Sequence, residues 1–122
     1  MDEPRIAVMR KGEVPREPYP WGEIHWLVCK KANGARELTL GHTLVAPGGR
    51  NALHAHPNCE EALYVVKGEI EHVIEGFPTV RMKAGEAILI PPNVRHQAIN
   101  VGAGPAELVV AFSSAERQTV AD

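Results

Sequence analysis

The chain is 122 residues long, enough for one domain with a substantial core and too short for two. Its 13 basic and 15 acidic residues leave a net charge of −2 with no block of like charge, so nothing in it recruits phosphate backbones or anionic lipid. No apolar run approaches the roughly 20 residues a spanning helix needs, and Met1 to Gly12 lacks the apolar core of a leader, so a cytoplasmic protein without nucleic-acid or membrane partners is expected.

Residues 1–20 form an arm in which Pro4, Pro15, Pro18 and Pro20 interrupt any regular element; such a segment frays unless something holds it down. From Trp21 onward, turn signals recur at the short spacing of an all-β sandwich or barrel. Ile24, Trp26 and Val28 alternate with His25, Leu27 and Cys29, and Leu38, Leu40, His42 and Leu44 alternate with Thr39, Gly41, Thr43 and Val45. Further strands are predicted over 52–55, 61–67, 69–75, 79–83, 87–90, 96–101 and 107–112, separated by turns such as Pro47-Gly48-Gly49 and Pro91-Pro92-Asn93. No stretch has a helical apolar period, and the one helix start is the capping-box pattern of Ser113 and Glu116. The domain boundaries are therefore an arm at 1–20, a barrel at 21–114 and a tail at 115–122. Cys29 and Cys59 are too few for a disulfide scaffold and are expected as free thiols, Cys59 partly buried in a turn.

The chemistry concentrates in His54, His56, Glu61 and His96. Side chains two apart on a strand share a face, so the His-Ala-His triplet can bring both rings to one ion from one side. Glu61 follows a short turn and opens the next apolar strand, while His96 must arrive from a distant part of the chain. Three imidazoles and a carboxylate suit Fe, Mn, Ni, Co, Cu or Zn better than Mg or Ca, which prefer oxygen cages.

The spacing of Gly48, His54, His56, Glu61 and Gly68 resembles the first signature of the cupin superfamily, and Gly85, Pro91, His96 and Asn100 resemble its second. Asn93 stands where that pattern has glycine; asparagine is the residue best able to replace glycine in a left-handed turn. The resemblance implies an all-β jelly-roll barrel, one divalent transition metal per chain, and a homodimer whose N-terminal arm pairs with a partner subunit. It also implies a small-molecule substrate bound at open metal positions.

Parity places Leu63 and Val65 beside Glu61, and Ala98 and Asn100 beside His96, which predicts a dry, shaped cavity around the metal. Tyr64, of opposite parity, is expected on the outer face. His42 shares parity with leucines and could face the cavity, His25 and His72 are expected at the surface, and Trp21 and Trp26 as core or interface anchors. Arg81, Met82, Arg95 and Gln97 are candidates for a cavity mouth. Fold does not choose the reaction. The ligand type favours a dioxygenase-like enzyme on a carbonyl- or hydroxyl-bearing small molecule; a cupin isomerase or lyase, or a non-catalytic metabolite- or sugar-binding module, are the alternatives.

Overall fold

The computed structural model describes residues 6–121; residues 1–5 of the arm and the last residue of the tail lie outside it. Among the described residues, eleven strands make two antiparallel sheets. The larger has the order β1-β2-β3-β10-β5-β8 and the smaller β11-β4-β9-β6-β7. The elements are β1 (Arg16–Tyr19), β2 (Gly22–Val28), α1 (Lys30–Asn33), β3 (Thr39–Val45), β4 (His54–Ala55), β5 (Glu61–Lys67), β6 (Glu69–Ile74), β7 (Val80–Lys83), β8 (Ala87–Ile90), β9 (His96–Asn100), β10 (Ala106–Phe112) and β11 (Val120–Ala121). This is the jelly-roll arrangement in which two sheets share one interior.

Strand alternation builds that interior. In β5 the buried positions are Glu61, Leu63 and Val65, and in β10 they are Ala106, Leu108, Val110 and Phe112. Apart from Glu61, these side chains form the core with Val45, Ile70, Met82, Ala98 and Cys59. Tyr64 is exposed on the outer face, as its parity requires.

Five regions depart from the expected pattern. Arg16 to Tyr19 in the arm is a strand after all, paired with β2 through Pro18 opposite Glu23; it is the sheet edge, where a missing N–H is tolerated. The tail strand β11 pairs with β4, Val120 opposite Ala55 and Ala121 opposite His54. Strand β4 itself is two residues rather than four. Ser113 and Glu116 start no helix: the Ser113 hydroxyl accepts from the Glu60 backbone N–H, and the Ser114 hydroxyl from that of Glu116, so both hydroxyls brace turns. The helix that does form, α1, is capped by the Cys29 sulfur, which accepts from Ala32 N–H, and ends on Gly34 in the left-handed region.

Asn93 has φ of 65°, the left-handed geometry its place in the glycine pattern calls for. Its backbone N–H donates to the His56 carbonyl at 2.9 Å, so this turn ties the approach to His96 onto the segment carrying the triplet.

Candidate metal centre

Both sheets contribute to the cluster. His54 on β4 is directly paired with His96 on β9, His56 lies just beyond β4 in the same extended direction, and Glu61 opens β5 in the opposite sheet. One ligand atom from each of these four residues lies within 4.8 Å of all the others, a grouping that could hold a metal ion. His56, Glu61 and His96 are buried and His54 is partly so.

The hydrogen bonding fixes which nitrogens face inward. His54 Nδ1 is 2.7 Å from the Ala52 carbonyl, His56 Nδ1 2.9 Å from that of Gln118, and His96 Nδ1 2.9 Å from that of Val94. A carbonyl only accepts, so each Nδ1 carries a proton, and in the neutral ring each Nε2 keeps its lone pair. Three lone pairs then converge with a carboxylate whose Oε1 is 2.8 Å from His96 Nε2 and 3.2 Å from His56 Nε2, the latter without hydrogen-bond alignment. Acceptors facing one another at these distances need a cation between them, either a proton or a metal. The backbone carbonyls orienting each ring are the outer partners that metal-binding histidines use.

The electrostatics agree. Burial alone would raise the Glu61 pKa, but the facing imidazoles of His56 and His96 outweigh it and hold the carboxyl down at about 2, ionised and ready to ligate. Burial pushes His54 down to about 4, keeping it neutral as ligation requires. Burial also acts to lower His96, but its hydrogen bond to Glu61 and that carboxylate's charge win, and its pKa is raised.

A cavity of about 240 Å³ opens onto this cluster, lined by His54, His56 and Glu61 together with Trp21, Trp26, Leu63, Val110 and Phe112. Gly41 makes room for one of its walls, since a Cβ there would meet the Trp26 ring at 3.0 Å and a Val110 methyl at 3.0 Å. The Phe112 ring stands edge-on to His56 with centroids 4.9 Å apart. Tyr19 stacks on Trp21 at 4.6 Å; burial and its bond to Glu17 push the phenol up to about 12, so it keeps its proton. The tryptophans are thus walls of the cavity as well as core anchors.

Several sequence expectations for this site are overturned. His72 is not at the surface: it is fully buried on β6 behind His96, with ring centroids 5.5 Å apart, and burial holds its pKa down to about 4. His25 is buried too, on the outer face of the large sheet beside Glu23. His42 faces away from the cavity, pairing with Glu107 at 2.8 Å, because the inward positions of β3 are Thr39, Gly41, Thr43 and Val45. None of the four mouth candidates lines the cavity: Arg81 pairs with Glu69, Arg95 with Glu75, Gln97 donates to the Asn51 carbonyl, and Met82 is core. Cys59 is more deeply buried than expected, its thiol pushed up by that burial and then by the charge of Glu61, and it stands outside the donor set.

The charged cavity residue Arg117 went unnoticed in the sequence. Arg117, from the tail, lies over the Trp26 ring at 4.2 Å and near the Phe112 ring at 5.3 Å. Contacts of this kind contribute roughly 0.5–1 kcal/mol at exposed sites and about 2 kcal/mol when desolvated. Nothing in the polar segment around it marks it as a wall of an apolar cavity, since the contact depends on the tail folding back along β4.

A family model described as a cupin domain matches residues 41–112. The chain belongs to the cupin family. It is 32% identical over 113 residues to polyketide synthase CurC of Streptomyces cyaneus, covering 93% of this chain and 73% of that protein. It is 40% identical over 85 residues to oxalate oxidase 2 of Hordeum vulgare, covering 63% of this chain and only 38% of that protein. Among solved structures, the polyketide cyclase RemF from Streptomyces resistomycificus matches with a TM-score of 0.78 at 22% identity, over 96% of this chain and 85% of that one, a likeness in fold.

Proposed function

We propose that this cupin is a metal-dependent enzyme holding one divalent transition metal per chain on His54, His56, Glu61 and His96. Its substrate in this reading is a flat, partly aromatic compound bearing several carbonyl or hydroxyl groups, and its reaction a ring closure, isomerisation or elimination without net oxidation. The observation that carries the reading is the cavity: aromatic and aliphatic walls run directly up to the donor cluster, with Arg117 their one fixed cation. A small dianion such as oxalate would gain nothing from those walls, whereas a fused ring would bury both faces against Trp26, Phe112 and Trp21. The likeness to CurC along most of both chains supports the same class.

Bound there, a divalent metal would polarise a carbonyl or hydroxyl oxygen and so acidify the adjoining C–H or O–H. The chain's own residues supply the rest. The carbonyls of Ala52, Gln118 and Val94 lock the three rings, so no reorganisation is needed at the moment of reaction. The apolar walls exclude water and restrict how a flexible polycarbonyl chain can fold.

A dioxygenase-like reaction is the second reading, favoured by the ligand type and by the match to oxalate oxidase 2. Free thiols at Cys29 and Cys59 fit a reducing cytosol. A homodimer belongs to the same proposal, with the exposed strip of Tyr64, Val66 and Leu89 on β5 and β8 as the surface to cover.

Metal-loaded protein incubated with aromatic polycarbonyl compounds, with oxygen uptake and product mass followed together, separates the readings. A cyclised or dehydrated product without oxygen consumption is the expected result. Oxygen incorporation would favour the dioxygenase, and quenching of tryptophan fluorescence with no turnover under either regime would favour a binding module.

A further inference from the structure

We propose that Arg117 is the anion anchor of the cavity, binding a carboxylate or enolate oxygen of a substrate whose ring lies against Trp26 and Phe112; this rests on the cavity being the substrate site. Among the residues lining the cavity Arg117 is the sole lysine or arginine, and Glu61 the sole acid. A guanidinium at such a place in a folded protein is ordinarily matched to a carboxylate, yet among the described residues Arg117 has none. Among the described residues its one hydrogen bond runs from Nη1 to the Thr119 hydroxyl at 2.6 Å, and the remaining N–H groups of its fork meet no other acceptor there.

The aromatic rings hold the fork ready. With the guanidinium 4.2 Å from the Trp26 ring and 5.3 Å from that of Phe112, little side-chain freedom is left to lose when an anion binds, and the planar donor set matches a carboxylate in a bidentate way that lysine cannot. Position adds direction. The guanidinium and His56 both lie against the Phe112 ring, 5.3 Å and 4.9 Å from its centroid, so an anion held by Arg117 lies beside the donor cluster. The Thr119 hydroxyl that takes the Arg117 hydrogen bond is also 3.2 Å from His56 Nδ1, so one short tail segment places both the anchor and a ring of the cluster. A substrate with one anionic and one polar carbonyl end would therefore be bound in a single orientation, its carbonyl toward the histidines.

The test compares 2-naphthoate with 2-naphthamide, identical in shape and differing in charge, by quenching of the two tryptophans, in both metal-loaded and EDTA-treated protein. The wild type should bind the carboxylate roughly 10- to 100-fold more tightly than the amide in both forms, the range expected for a charge-assisted hydrogen bond. Arg117→Gln should lose that preference while binding the amide nearly as before, and Arg117→Lys should restore part of it. Equal loss of both ligands in Arg117→Gln would show a clamp for Trp26 rather than an anchor and overturn the proposal. So would an undiminished preference in Arg117→Gln, or one present only with metal, which would give the carboxylate to the ion. Metal content is measured alongside: a preference that survives in a wild type binding no metal would sustain the anchor while ending the metal-enzyme reading.

Discussion

Two histidine–glutamate groups occur in this small molecule, one inside the barrel and one on the outer face of the large sheet. Inside, Glu61 is 6% exposed and Nδ1 of each of His54, His56 and His96 is committed to a carbonyl, so their Nε2 atoms have a single direction left. Outside, His25 and His42 are cross-strand neighbours on β2 and β3, each drawn to its own carboxylate, Glu23 at 3.2 Å and Glu107 at 2.8 Å. Those carboxylates are 24% and 35% exposed, and each serves its own histidine. Residue type is the same in both groups; what distinguishes them is whether the backbone forces the donors to converge. Among the described residues only the inner group gathers into a potential metal cluster.

The sharpest way to break this comparison is to remove one donor from each group. His56→Ala should lower metal affinity by more than the about 10- to 100-fold that loss of an outer partner costs, while His42→Ala leaves it unchanged. Elemental analysis after dialysis, with circular dichroism to confirm the β-fold, reads both. Equal metal loss from the two variants would erase the distinction.

A smaller effect concerns acid. In metal-free protein the buried His54 and His72, with folded pKa values of about 4, stay neutral while the unfolded chain, at its usual value near 6.5, takes up protons. The unfolded state then binds more protons, so stability falls as pH drops from about 6.5 to 4. Glu61, held at about 2, stabilises above its unfolded value and loses that contribution as pH falls further. His96, raised, works the other way, its stabilisation complete below about 6.5 and lost as pH rises through its folded pKa. Urea midpoints at pH 7 and pH 5 in EDTA should therefore fall for the wild type. The fall should be smaller for His72→Leu, since one of the buried neutral rings is gone. An identical acid response would remove burial of His72 as its cause.

Much of this was legible in the sequence because the relevant physics is local. Parity put Glu61, Leu63 and Val65 inward and Tyr64 outward, and φ at Asn93 followed from the position it fills. What failed depended on neighbours that only the fold supplies. Hydrophobic alternation in β3 pointed the leucines inward, but the interior is taken by Trp26 from β2, so β3 turns Gly41 and two threonines toward it and sends His42 out with the leucines. His72 did carry a signal: it lies two residues from Ile70, and the two share the buried face of β6. For Arg117 there was none, because its role depends on a tail strand of two residues pairing back onto β4.

The most direct test of the central claim is X-ray absorption on protein purified without added metal, combined with its metal content. Near one transition-metal ion per chain, with scattering from three imidazoles and an oxygen donor, is the predicted result. Protein that takes up no transition metal even when it is supplied in excess, or binds it with fewer than three imidazoles, would contradict it.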